Sequence, residues 1–227
     1  MCPHPVGYPF EPGSLTDTEG APALFDRYPA YGQAMEWLDE FVTQPHPALG
    51  RPGAICPRLA PALRRNLVHL VAMRTDTGSV DEAVLKGQAL AGLYQELFTD
   101  PEAFRAGALL AFFPGLPPEA APEFIDVGHA RLRMDFVASG LMIGEFHPLS
   151  TVTSVRNPAL AVMRCPVPML AVRALTRHDV LFLDRPDTPP DQRVQYLKHL
   201  LHHLGDQLPA AELDRIHASI AASEAAP

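Results

Sequence analysis

The sequence predicts an α+β fold: a single domain with a mostly antiparallel sheet flanked by helices, preceded by a proline-rich arm. Three observations lead there. Segments of helical period alternate with short apolar runs through the first half of the chain. Four more short runs follow one another between residues 141 and 183, and two helical segments close the chain. With 227 residues, 47% of them apolar and 19% charged, the chain is long enough and apolar enough for one core burying roughly two-thirds of the unfolded surface.

Residues 1–29 hold Pro3, Pro5, Pro9, Pro12, Pro22 and Pro29 together with Gly7, Gly13 and Gly20. Proline removes a ladder donor and glycine raises the entropy lost on ordering, so an extended arm is expected here, with the α+β domain spanning 30–227. Ala34, Trp37, Leu38, Phe41 and Val42 then recur at helical spacing over 30–44 until Pro45 stops them. Residues 45–61 contain five prolines and two glycines around Ile55-Cys56, which predicts an ordered loop close to a site. The short apolar run 66–74 predicts a strand. Ser79 and Glu82 have capping-box spacing at the head of a helix that runs to Phe98. Residues 107–113 predict a buried strand ended by Pro114-Gly115, and 119–139 a third helix closed by Gly140. The runs 141–146, 159–163, 169–175 and 180–183 predict neighbouring strands, and 192–208 and 210–222 two terminal helices.

Charge and cysteine usage exclude several classes. Net charge is −8 without a compensating basic run, so nucleic acid is not an expected partner. No apolar run approaches the roughly 20 residues that span a bilayer, and the first residues lack the pattern of a signal peptide, so no membrane partner and a cytoplasmic location are expected. Cys2, Cys56 and Cys165 are too few and too scattered for a disulfide framework. Phosphate-binding loops, a nucleophile elbow, C-x-x-C and H-E-x-x-H are all missing from the sequence.

Among the remaining features, Gly140-Leu-Met-Ile-Gly-Glu-Phe-His-Pro148 delivers one imidazole, His147, at the end of an apolar strand. Such a ring suits a metal ligand whose second nitrogen is fixed by a carbonyl or a carboxylate such as Glu145; equally, it suits a hydrogen-bonded strand cap. Arg156, Arg164 and Arg173 lie in one stretch of an acidic chain. Guanidinium forks fit propionates or a substrate carboxylate, or ordinary ion pairs with Asp135, Asp179 or Glu145. Each cysteine precedes a proline, which leaves open either thiolate ligation or a small buried apolar role. His199, His202 and His203 read as a solvated helix face.

Taken in order, Cys56-Pro57, Phe113-Pro114-Gly115-Leu116, the segment 140–148, Arg156-Asn157-Pro158, Arg164-Cys165-Pro166-Val167-Pro168 and Arg173 resemble an uncharacterised domain-of-unknown-function family met in actinomycete biosynthetic clusters. That family is distantly similar to the YqcI/YcgG family of haem-dependent N-oxygenases. Ala159-Leu160 and Cys165-Pro166 depart from the pattern of those oxygenases. The resemblance implies a haem-dependent oxygenase of secondary metabolism that oxidises an amine or guanidine-type nitrogen of an amino-acid-like substrate. Haem b would be held by His147 as metal ligand, with Arg156, Arg164, Arg173 and Cys56 around it, and Asn157, Phe113 and Met142 would line the substrate. A small-molecule substrate and a homodimer are the implied partners. The other reading is a non-catalytic accessory or binding protein of a biosynthetic pathway, using the Pro-rich arm and the loop 45–61.

Overall fold

The computed structural model describes residues 9–225. The chain packs as two compact units, one made of Met1–Leu132 and Ile143–Arg173, the other of Arg133–Met142 and Ala174–Pro227. The fold is α+β, with a five-stranded mixed sheet in the order β1-β2-β3-β5-β4.

Two central strands, β2 (Val68–Ala72) and β3 (Ala108–Phe112), run parallel with Leu70 opposite Leu110. A parallel pair needs a crossover. Helices α3 (Val80–Leu97) and α4 (Pro101–Ala106) supply it. Ser79 caps α3 through the Glu82 N–H as its spacing predicts, but Glu82 does not return the bond to Ser79; it turns to the amides of Asp76, Thr77 and Gly78. Helix α4 was not foreseen, although Asp100 before Pro101 is a strong start signal: its carboxylate accepts from Glu102 and Ala103 N–H. On the other side of β3 lies β5 (Met169–Ala174), antiparallel, with β4 (Leu141–Phe146) next to it.

The stretch expected as an arm contributes to the sheet where it is described. Thr16–Asp17 forms β1, antiparallel to β2, and Ala21–Leu24 makes a 3-10 turn. The fully buried Ser14 hydroxyl both accepts the Ala72 N–H and donates to the Ala72 carbonyl, while Tyr31 donates to the Ser14 carbonyl. Side-chain bonding thus makes up for the scarcity of backbone donors. Residues 1–8, including Cys2, lie outside the described range.

Helix α1 (Pro29–Trp37) continues as a π-helical turn, Leu38–Val42. After α2 (Leu59–Arg64), the predicted third helix is also broken in character: π-helical at Pro122–Val127, then α5 (Gly128–Ala138). Gly140 ends it with φ +74, as its cap role requires.

Two predicted strands are not strands. Residues 159–163 form turns and irregular chain, bonded locally through Ser154 N–H to the Leu160 carbonyl, and the next residue, Arg164, makes an isolated bridge with His147. Val180–Leu183 is a short helix, α6. Asp179 accepts from both the N–H and the hydroxyl of Thr176, and this local cap outweighs a run too short to specify its own period.

The core of the first unit gathers Tyr31, Leu70, Phe112, Cys165 and Met169. In the second unit, α7 (Pro190–Leu204) and α8 (Ala210–Glu224) pack as a hairpin whose Tyr196, Leu197, Leu200, Ile216 and Ile220 enclose a separate core with Val137 and Leu183. His203 Nε2 donates to the Ala138 carbonyl at 2.8 Å.

Candidate functional site

Two periodicities meet at the site. Along a strand, residues two apart face the same way, so Glu145 and His147 are presented together; on a helix, residues three apart share a face, so Asp126 and His129 are too. The two faces pair in crossed order. His147 Nε2 lies 2.9 Å from Asp126 Oδ1, and His129 Nε2 lies 3.2 Å from Glu145 Oε2 and 3.1 Å from the Ile143 carbonyl. Asp126 stands in the π-helical turn, whose extra residue shifts the helix face locally, a feature frequent at functional sites.

This corrects the partner expected for His147. Asp126 takes His147 Nε2, and Glu145 instead pairs with His129. Sequence reasoning missed Asp126 and His129; their spacing of three on the predicted helix was the available signal.

His147 has no solvent exposure. Its carbonyl accepts from Ser150 N–H at 3.1 Å and Cys165 N–H at 3.3 Å, so the segment 148–163 leaves the strand and returns to it at the same residue. Asn157, within that segment, donates to the Ala48 carbonyl at 2.8 Å and tethers it to the loop 45–58. In the neutral ring, an Nε2–H donated to Asp126 leaves the lone pair on Nδ1. That atom is buried and, among the described residues, has no hydrogen-bond partner.

The other expected site residues disperse. Arg164 is exposed and reaches the Ser150 carbonyl at 3.4 Å; Arg156 is exposed beside Gly50; Arg173 stands on β5 in register with Ala108. Phe113 packs its ring on Phe124 with centroids 4.9 Å apart, and Met142 belongs to the core of the second unit. Cys56 is half-buried, its N–H bonded to the Val42 carbonyl. Burial pushes the Cys165 thiol up to about 12, against a smaller opposing effect of the Val167 N–H, so a thiolate there is disfavoured.

A haem held by His147 does not fit these side chains. Nε2 is engaged by Asp126 and Nδ1 is buried, so neither ring nitrogen is open to an iron. Nor, among the described residues, do three or more His, Cys, Asp or Glu side chains converge to hold a metal ion.

A family model described as Domain of unknown function (DUF6875) matches residues 31–213. The chain belongs to this family. The DUF6875 match spans Asp126, His129, Glu145 and His147 as well as the loop 45–61. No curated protein and no solved structure matches the chain. Among the described residues no helix is long and apolar enough to cross a membrane.

Proposed function

We propose that this DUF6875 protein is an enzyme that acts on a small molecule by proton transfer at His147. The reading rests on one observation: a buried imidazole whose Nε2–H is fixed by Asp126 and whose Nδ1 has no partner. Most buried polar atoms are paired, because an unpaired buried acceptor costs roughly 1–3 kcal/mol. His69 Nδ1 is also unpaired, but of the two only His147 combines this with a carboxylate on its other nitrogen. A carboxylate-oriented imidazole with a free lone pair is the arrangement of a general base: Nδ1 takes the substrate proton, and Asp126 steadies the imidazolium that forms.

His129 and Glu145 hold the neighbouring stretch of β4 against the helix and so keep the ring aligned. Access to the buried Nδ1 requires neighbouring chain to move, and the segment 148–163, which leaves and rejoins the strand at His147, is the candidate. Both of its ends bond to the His147 carbonyl, and Asn157 ties its far part to the loop 45–58. A small substrate group needs only a modest opening there, whereas a tetrapyrrole needs a large cavity. We therefore set the oxygenase expectation, and its kinship with haem-dependent N-oxygenases, below the proton-transfer reading.

The test incubates the full chain with a metabolite extract and follows compounds by mass spectrometry. A compound consumed by the native protein should persist with His147→Gln, and its consumption should slow by about 10²- to 10⁴-fold with Asp126→Asn. Equal consumption by His147→Gln refutes the proposal. A Soret band that forms when haem is supplied and that disappears in His147→Ala would restore the oxygenase reading in its place.

A further inference from the structure

Away from the imidazole cluster, a cavity of about 250 Å³ is lined by Pro9, Phe10, Glu11, Pro12, Arg74, Asp76 and Lys86. It shares no residue with the His147 site. Lys86 is 5% exposed, a rare burial for an ammonium, which normally requires full pairing. Its pairing is incomplete. Among the described residues its one partner is Glu82 Oε1, at 3.1 Å. That oxygen already accepts the Asp76 N–H at 2.7 Å, while Oε2 takes the Thr77 N–H and hydroxyl, both at 2.8 Å, and the Gly78 N–H at 2.9 Å. Glu82 is thus saturated by the loop before α3, and Lys86, which lines the cavity and has three N–H donors, keeps two without a partner among the described residues.

The remaining charges of the lining are committed. Arg74 Nε lies 2.9 Å from Asp76 Oδ1, and Glu11 is engaged by the Tyr28 hydroxyl at 3.3 Å and, more distantly, by Arg27. Two carboxylates in the wall repel a dianion but tolerate a single negative charge brought directly onto the ammonium. The rings of Pro9, Phe10 and Pro12 offer an apolar wall to the rest of such a molecule.

We propose that this cavity is a binding site for a small monocarboxylate, whose carboxylate accepts the two unused N–H groups of Lys86. The pairing completes a buried cation that, among the described residues, has one partner, and charge-assisted bonds of this kind are the strong ones.

Titration of the full chain with benzoate, read in the backbone amide spectrum, tests it. Saturable shifts are expected at Asp76, Thr77 and Gly78, whose amides bond to the same carboxylate as Lys86. Lys86→Met should weaken benzoate by roughly ten- to a hundredfold, and His147→Gln should bind it as the native protein does. Benzamide, of equal shape and no charge, should not bind; this arm needs no variant and stands if Lys86→Met fails to fold. Absence of saturation, equal affinity for benzamide, undiminished binding by folded Lys86→Met, or tighter binding of inorganic phosphate than of benzoate would each overturn the assignment.

Discussion

His147 and Glu82 show what single residues contribute, in opposite senses. His147 leaves a buried nitrogen unsatisfied, a local loss of stability that the surrounding packing must offset and that makes sense at a working site. Glu82 is the reverse, a carboxylate so well supplied with donors that, against a burial that alone would raise it, its pKa is held at about 2 by the amides of Asp76 and Thr77, the Thr77 hydroxyl and Lys86. A depressed carboxylate adds stability above its unfolded pKa, near 4.5, and that stability drains away as pH falls toward 2. The stabilisation is on the order of 3 kcal/mol at neutral pH. Urea midpoints of the native protein and Glu82→Gln should therefore differ most above pH 5 and converge steadily below it; a difference constant with pH would contradict this account.

At the scale of elements, the position of helix α5, which carries His129, depends on close approach. A Cβ on Gly128 would stand 2.7 Å from Ala83 Cβ, so the head of α5 lies tight against α3. Alanine at 128 raises helix propensity by about 1 kcal/mol, yet the overlap of two short, rigid side chains costs about 1–3 kcal/mol. Gly128→Ala should lower the thermal midpoint, and Ala83→Gly added to it should recover most of the loss; a stabilised Gly128→Ala would show that the helices part freely. The same scale explains what was legible in the sequence. Helices α1, α3, α7 and α8 and strands β2, β3, β4 and β5 follow from apolar period, Ser79 and the prolines, all of them local signals. Helix α6 and the turns at 159–163 did not follow, because a run of four or five apolar residues has no period of its own and yields to whichever cap or partner adjoins it. The π-helical turn at Pro122–Val127, which sets Asp126 toward His147, has no local signature either.

For the molecule as a whole, a net charge of −8 disfavours association with polyanions. Stability is not uniform over its sheet. Val68, Leu70, Val71 and Ala72 of β2 and Leu109, Ala111 and Phe112 of β3 have no solvent exposure, whereas β1 is a two-residue edge strand, half-buried. Amide hydrogen exchange should be slower in β2 and β3 than in β1 by on the order of a hundredfold or more; comparable rates would mean that the parallel pair is not the stable centre of its unit. The amino-acid sequence by itself determined the fold class, most elements and the presence of a strand-end imidazole, since each depends on neighbours within a few residues. Only the tertiary structure decided that Asp126 rather than Glu145 holds that imidazole, that the arginines disperse, and that Lys86 is buried beside a cavity. Those outcomes depend on which faces of distant segments pack together, and periodicity defines a face without naming its partner.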